Sequence, residues 1–228
     1  MTEINKNLEH INKAILAAAT KSGRDIADIT LVGVTKSIDV NRISQLISEG
    51  VTQLGENRVQ DFLPKHDALV SHALTWHFIG HLQRNKVKFI IDKVSMIHSV
   101  DSLALAIEID KRASQKGLTM DILLEVNIAN EDSKHGVTPH DTVYLADEIS
   151  KLESVKLKGL MCIAPFVDNP EDNRIHFSKM RELLLDINMQ HPHNHLTELS
   201  MGMSGDYEVA IEEGSTMVRI GTALVGDK

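Results

Sequence analysis

Short, apolar, strand-like runs alternate along the chain with longer amphipathic stretches. The runs are rich in β-branched and aliphatic residues, as buried strands are. There are eight of them: TLVGVTK from Thr30, QLGENRV from Gln53, TWHFIG from Thr75, MIHSVD from Met96, DILLEVN from Asp121, LKGLMCIA from Leu157, ELSMGMS from Glu198 and TMVRIG from Thr216. Strands that alternate with helices predict βαβ units and a parallel sheet.

The stretches between the runs carry apolar residues every three or four positions, which places those residues on one face of a helix. An additional stretch of this kind precedes the first strand. The clearest faces consist of Ile4, Leu8, Ile11 and Ile15, of Val143, Ala146, Ile149 and Leu152, and of Phe177, Met180, Leu184 and Ile187.

Eight βα units predict a (β/α)8 TIM barrel, here with an extra N-terminal helix. A doubly wound open sheet is the alternative, but TKSID follows the first strand where a dinucleotide fold has its G-x-G-x-x-G fingerprint. No Pro/Gly/Ser linker divides the chain, so we expect residues 1–228 to form a single domain.

In such a barrel the functional residues lie at the carboxyl ends of the strands. The residues that end the eight runs therefore form the predicted mouth: Lys36, Asn57, Gly80, Asp101, Asn127, Ala164, Ser204 and Gly221.

Composition excludes several classes of protein. The net charge of −8, with no basic run, argues against nucleic-acid binding, and 4% aromatic residues predict an aliphatic core. The single cysteine, Cys162, permits no internal disulfide and fits a reducing compartment. The N-terminus has no signal-peptide pattern, and no run approaches the ~20 apolar residues of a membrane span. We expect a soluble, cytoplasmic protein.

Lys36 ends the first run, on the same strand face as Val32 and Val34. A lysine there can simply extend into water. Alternatively, its amine can condense with a carbonyl group to form a Schiff base, a role that partial desolvation at a barrel mouth favours.

The seventh and eighth runs end in turns that are rich in small hydrogen-bond donors. Ser204 and Gly205 precede a short helix, and Gly221 and Thr222 follow the last strand. In TIM barrels, the loops after strands 7 and 8 frequently bind phosphate. Arg219, inside the last apolar run, needs a buried partner, which is either a structural carboxylate or a ligand atom.

Together these features predict a ligand with a phosphate at one end and a carbonyl at the other, since strand 8 of a closed barrel neighbours strand 1. Pyridoxal phosphate and a sugar phosphate both qualify. The tract HPHNH at 191–195 lacks the carboxylates and cysteines of common metal sites, and we predict no metal site.

The motifs VGVTK, GENRVQ, WHFIGHLQRNK, LLEVNIA, GLMCIAP and SMGMSGDYEVAIEEGSTMVRIG, in this order, resemble those of the pyridoxal phosphate homeostasis proteins. These are single-domain relatives of the alanine racemase N-terminal barrel. The resemblance implies that Lys36 holds the cofactor as a Schiff base and that Arg219 faces the pyridine nitrogen. It further implies a phosphate site of Met203, Ser204, Gly221 and Thr222, and Asn57 and His77 near the ring.

The resemblance also implies a homeostasis protein that buffers and delivers the cofactor and is not an enzyme. Its expected partners are pyridoxal phosphate and apoenzymes that require it, with no nucleic acid, membrane or second subunit. The alternatives are a weak amino-acid racemase, with Lys36 and Tyr207 as the two bases, and a Schiff-base lyase acting on a sugar phosphate.

Overall fold

The fold is known from a computed structural model, which describes residues 2–131, 134–190 and 195–226. The predicted absence of a metal site concerns HPHNH at 191–195, of which residues 191–194 lie outside the described residues, so it stays a prediction. Eight parallel strands match the eight predicted runs: β1 Thr30–Val34, β2 Gln53–Glu56, β3 Thr75–Phe78, β4 Met96–Val100, β5 Met120–Glu125, β6 Val155–Met161, β7 Glu198–Ser200 and β8 Met217–Ile220.

The strands follow one another around a closed barrel in chain order, and β8 pairs with β1. The closing register aligns Thr30 with Met217 and Gly33 with Ile220. This closure confirms the (β/α)8 prediction and excludes the open sheet. It also makes the ends of β7, β8 and β1 neighbours at the mouth.

Helices cover the outside of the barrel. They are α1 Glu3–Lys21, α2 Val40–Ser48, α3 Val59–Ala68, α4 Val87–Ile90, α5 Leu103–Lys116, α6 Pro139–Ser150, α7 Arg174–Gln190, α8 Tyr207–Glu212 and α9 Thr222–Val225. The extra helix, α1, begins where the side chain of Thr2 accepts a hydrogen bond from the backbone N–H of Asn5. Within the described part of the chain, no helix is both long and apolar enough to cross a membrane.

Two separate apolar regions stabilise the barrel. The larger lies between strands and helices and is mostly aliphatic, as the scarcity of aromatic residues predicts. The smaller fills the barrel interior with Met96, Leu123, Met161 and Met217. Side chains two positions farther along a strand point to the same side, so the residues that follow in β4, β5 and β8 form the next interior layer towards the mouth. That layer is polar: His98, Glu125 and Arg219.

Gly159 in β6 lies against the backbone of β7 just after a register shift between β5 and β6. A Cβ built at this position would stand 1.8 Å from the carbonyl oxygen of Glu198. A backbone atom cannot give way as the end of a flexible side chain can. Only glycine therefore fits here without displacing the neighbouring strand.

We predict that Gly159→Ala lowers the free energy of unfolding by about 3 kcal/mol, at the upper end of overpacking costs. Urea unfolding followed by circular dichroism measures this loss. The matched control is Gly205→Ala, because a Cβ at Gly205 meets no atom within 4 Å. Equal stability of the two variants would contradict the proposed backbone clash.

Candidate functional site

Lys36 is the second residue beyond the end of β1, and its side chain is exposed. Among the described residues, none forms a hydrogen bond or ion pair with its amine. The neighbouring residues Val32 and Thr35 are buried. The structure thus presents a free primary amine on a firmly packed strand end at the mouth, as the sequence predicts.

A buried ion pair holds the backbone directly before Lys36. Glu56, the last residue of β2, is fully buried, and its Oε1 accepts hydrogen bonds from Thr35 Oγ1 (2.6 Å) and Lys65 Nζ (2.7 Å). Lys65 Nζ also donates to the carbonyl oxygen of Thr35, at 2.7 Å. Removing one member would leave a buried charge without its counter-ion. Thr35 is therefore fixed through both its side chain and its backbone.

The turns after β7 and β8 meet at the hydroxyl of Ser204. Its Oγ accepts hydrogen bonds from the backbone N–H groups of Gly221 (3.3 Å) and Ala223 (3.2 Å). Thr222, between them, is exposed, and no described residue bonds to its hydroxyl. The structure thus brings together three of the predicted phosphate ligands, Ser204, Gly221 and Thr222. A Cβ at Gly221 would lie 3.3 Å from the Cβ of Val34, so this cluster adjoins β1.

Met203, the fourth predicted phosphate ligand, has its backbone groups occupied within the turn. Its N–H donates to Asp206 Oδ1 (2.7 Å), and its carbonyl accepts from the N–H groups of Asp206 and Tyr207. The other carboxylate oxygen of Asp206 accepts from the buried Asn173, at 2.8 Å. These bonds shape the loop that presents Ser204, and a direct contact of Met203 with phosphate stays a prediction.

Arg219 is buried in the barrel interior and donates hydrogen bonds only to neutral oxygens. Its Nη1 donates to Ser200 Oγ (2.6 Å) and its Nη2 to the carbonyl oxygen of Cys162 (2.7 Å). A guanidinium has five N–H donors, so three are left that no described residue accepts. Of the two partners that the sequence leaves open for Arg219, a hydrogen-bonded structural carboxylate is not found among the described residues.

A row of buried side chains continues from Arg219 across the barrel. Ser200 Oγ lies 2.9 Å from His98 Nδ1, His98 Nε2 lies 2.9 Å from His77 Nδ1, and His77 Nε2 lies 2.7 Å from Gln53 Oε1. Arginine can only donate. If Ser200 then donates to His98, each imidazole donates onward through its Nε2–H, and the row ends on the Gln53 carbonyl. Every member is then satisfied with both histidines neutral.

Burial supports that protonation state. It lowers the pKa of His77 to about 4. It also lowers the pKa of His98 well below its ordinary value, and the nearby His77 and Arg219 act in the same direction. Both ring nitrogens of His77 have protein partners. His77 could therefore contact the ring of a bound ligand only through its carbon atoms. Its role in ligand binding stays a prediction.

Asn57 follows β2 on the interior-facing side and is half-buried. The described residues leave its side-chain amide without a partner. Its backbone passes so close to Gly80 that a Cβ there would lie 2.3 Å from the Asn57 carbonyl oxygen. Asn57 therefore stands at the mouth with a free amide, as a ligand-facing residue would.

Glu125 ends β5 in the polar interior layer. Burial, with Asp101 as a second cause, raises its pKa to about 7, although Arg219 acts in the opposite direction. An acid with such a pKa in a barrel mouth changes charge near neutrality, a property of functional sites. Cys162, in contrast, is a buried free thiol whose pKa burial raises to about 12, so it is unreactive.

The two tyrosines of the chain lie in different surroundings. Tyr207 is buried in the core between strands and helices, where burial raises its pKa. Tyr144 is exposed on α6. The expectation that Tyr207 lies near Lys36 as a second base is thus not supported by its position.

Several side chains of this site are not evident from sequence. His98 and Ser200 lie inside apolar runs and meet only because β4 and β7 face each other across the barrel. In β3 the polar Thr75 and His77 alternate with Trp76 and Phe78, a pattern that fits an interior His77, whereas His98 and Ser99 are adjacent in β4 and give no such signal. Glu56 and Lys65 resemble ordinary surface charges.

Comparison with known proteins adds four findings. Residues 7–228 match the family described as "Alanine racemase, N-terminal domain". The chain is 44% identical over 223 residues to the pyridoxal phosphate homeostasis protein of Aquifex aeolicus. This alignment covers 98% of this chain and 97% of that protein.

Two solved structures share the whole barrel. A protein described as unknown from Bifidobacterium adolescentis superimposes with a TM-score of 0.91 at 37% identity, covering 97% of this chain and 94% of that one. PipY of Synechococcus elongatus, solved with pyridoxal phosphate bound, has a TM-score of 0.85 at 33% identity, covering 98% and 100%.

The neutral histidines predict a specific pH dependence of stability. In the unfolded chain a histidine titrates near 6.5, whereas His77 in the folded protein has a pKa of about 4. Between these values only the unfolded state takes up the proton. The contribution of His77 to stability is therefore present above pH 6.5 and is lost as the pH falls towards 4, by at most about 3 kcal/mol.

The raised pKa of Glu125 changes stability in the opposite direction over the same pH range. The contribution of His77 is therefore isolated by comparing the pH-dependent loss of stability in the wild type with that in a His77 variant. We expect His77→Gln to lose less stability than the wild type between pH 7 and pH 4.5 in urea unfolding. His140→Gln, at an exposed position on α6, is the control and should behave as the wild type. The same loss in all three proteins would refute the buried neutral histidine.

Proposed function

We propose that this chain, which belongs to the pyridoxal phosphate homeostasis protein family of alanine racemase-like barrels, binds pyridoxal phosphate at the mouth of its barrel and serves to store and deliver it. The observation that carries the proposal is the convergence of a free amine, a donor-rich turn and an incompletely satisfied arginine on adjoining strands. Those strands are β1, β7 and β8. PipY, a family member of matching length, is the relative solved with this cofactor.

The turns after β7 and β8 fit the phosphate group. The Thr222 hydroxyl and the Ser204 hydroxyl proton are available there, and two backbone N–H groups already converge on Ser204 Oγ. An incoming phosphate oxygen can accept from these same donors. Gly221 and Gly205 leave room for it, since neither carries a side chain.

Arg219 fits the pyridine nitrogen. It has unused N–H donors, and an arginine cannot hand over its proton, so it favours an unprotonated ring nitrogen. The hydrogen bonds to Ser200 and the Cys162 carbonyl fix the guanidinium before any ligand arrives. An unprotonated pyridine is a weaker electron sink, which disfavours carbanion chemistry at this site.

Lys36 fits the aldehyde. Condensation of its amine with the aldehyde forms a C=N bond and releases one water, and hydrolysis reverses the step. The ion pair behind Thr35 keeps the Lys36 backbone in place, while its exposed side chain leaves the bond open to water. A reversible covalent bond open to solvent suits storage and release.

Racemisation needs two groups that transfer protons on opposite faces of a substrate. Lys36 can serve one face, but neither tyrosine of the described chain is placed to serve the other. We therefore propose no catalytic turnover, with weak racemase activity as the second candidate. The finer proposals are that apoenzymes receive the cofactor and that the protein is a cytoplasmic monomer of one domain spanning residues 1–228.

Borohydride reduction followed by peptide mass mapping tests the covalent attachment. After incubation with pyridoxal phosphate, we expect a phosphopyridoxyl group on Lys36 in the wild type. Lys36→Ala should abolish this adduct, together with the visible absorbance of the bound cofactor. Lys111→Ala, which changes an exposed lysine on α5, is the matched control and should keep both. An unmodified Lys36 in cofactor-treated wild-type protein would refute the proposal.

Deuterium exchange separates storage from racemisation. With L-alanine in D₂O, the cofactor-loaded protein should exchange the α-hydrogen no faster than free pyridoxal phosphate at the same concentration, because an unprotonated pyridine beside Arg219 is a weak electron sink. Proton NMR measures the rate. Exchange well above that level that disappears in Lys36→Ala would support the racemase instead.

A further inference from the structure

His81, Asp101 and His135 come together on the side of the mouth that faces away from Lys36. His81 follows β3, Asp101 directly follows β4, and His135 lies between β5 and α6. His81 Nδ1 is 3.2 Å from Asp101 Oδ2, and the two imidazole rings stack with their centroids 4.1 Å apart. One ligand atom from each residue lies within 4.8 Å of the others.

We propose that this cluster binds a divalent transition-metal ion of the zinc class. Two imidazole nitrogens and one carboxylate oxygen form a ligand set that zinc and its neighbours prefer, whereas magnesium and calcium need several oxygens. Three protein ligands leave at least one coordination position for water or for an anionic ligand at the mouth.

The hydroxyl of Ser102 orients the carboxylate of Asp101 for metal binding. Its Oδ1 accepts a hydrogen bond from Ser102 Oγ (3.2 Å), so Oδ2 is the oxygen turned towards His81. Supporting bonds of this kind orient the ligands of metal sites. The Asp101 side chain is only 17% exposed, which makes it the fixed ligand of the three.

The backbone that carries the two histidines is also held. The carbonyl oxygen of Gly80, next to His81, accepts from the hydroxyl of Ser99. On the other side, Asn127 Nδ2 donates to the Lys134 carbonyl (3.4 Å), and Val137 N–H donates to the Glu125 carbonyl (2.8 Å). His135 therefore lies between two residues, Lys134 and Val137, whose backbones are held by hydrogen bonds.

Only the imidazole rings must move to accept an ion. Zinc–nitrogen distances of about 2.0–2.1 Å place two tetrahedral ligand atoms about 3.4 Å apart. The rings therefore need to swing out of their stacked arrangement, and both histidines are exposed and free to rotate. The charge also favours a cation, because Asp101 is part of the cluster and the positive charge of nearby Lys134 is paired with Glu131 at 2.8 Å.

Isothermal titration of the full-length protein with zinc chloride tests the site. To assign any bound zinc to the cluster alone, the titration is run in a background in which the histidines of HPHNH, His191, His193 and His195, are replaced by alanine. We expect one zinc per chain. Loss of a supporting residue weakens metal sites 10–100-fold, so His81→Ala, His135→Ala and Asp101→Asn should each weaken binding at least about tenfold.

His72→Ala and His140→Ala are the matched controls, because both remove an exposed histidine away from the cluster. They should leave the affinity unchanged. Cobalt(II) gives an independent readout: intense visible absorption bands of a low-coordinate site should appear in the background protein and vanish in Asp101→Asn. Lys36→Ala should bind zinc normally, which separates this proposal from cofactor binding.

Two results would overturn the proposal. The first is an affinity in the three cluster variants equal to that of the controls. The second is that the unaltered chain binds zinc but the variant without the 191–195 histidines binds none. That result would mean that the cluster holds no ion by itself.

Discussion

The pairing of β1 with β8 is the contact on which the candidate site depends. It joins the beginning of the chain to its end through the register from Thr30–Met217 to Gly33–Ile220. Only this closure places the amine of Lys36 beside the turns at Ser204 and Gly221. The main-chain bonds of a closed barrel leave no free edge, so the distance between amine and phosphate site is set by the sheet rather than by flexible loops.

Much of this arrangement is readable from sequence because it follows periodicity. The strand runs and helical faces predict the eight βα units, and the strand ends predict the mouth. The rule that functional residues lie at the carboxyl ends of TIM-barrel strands then predicts the positions of Lys36, Ser204 and Gly221. The predicted helical faces are the buried ones, as Phe177 and Ile187 in α7 illustrate. Such features depend on residues close in sequence or on one rule of topology.

What sequence could not provide depends on contacts between distant segments. The Glu56–Lys65 pair is ordinary until α3 packs behind β2, and His98 reaches Ser200 only across the barrel interior. Tyr207 is a second example, because its proximity to β7 in sequence made it a candidate second base, whereas the structure buries its side chain in the apolar core at the start of α8. The direction of a side chain on a short helix depends on how that helix packs, and this packing cannot be read from a single sequence.

The row from Arg219 to Gln53 has an electrical consequence. Because Gln53 Oε1 can only accept, His77 Nε2, His98 Nε2 and Ser200 Oγ each donate towards it when both rings are neutral. Reversing the row would require Ser200 and both imidazoles to exchange protons together. With both rings uncharged, Arg219 is the one charged member of the row. The row therefore holds a single fixed positive charge at its end nearest the mouth, whereas Glu125 in the same layer is the group whose charge changes near neutrality.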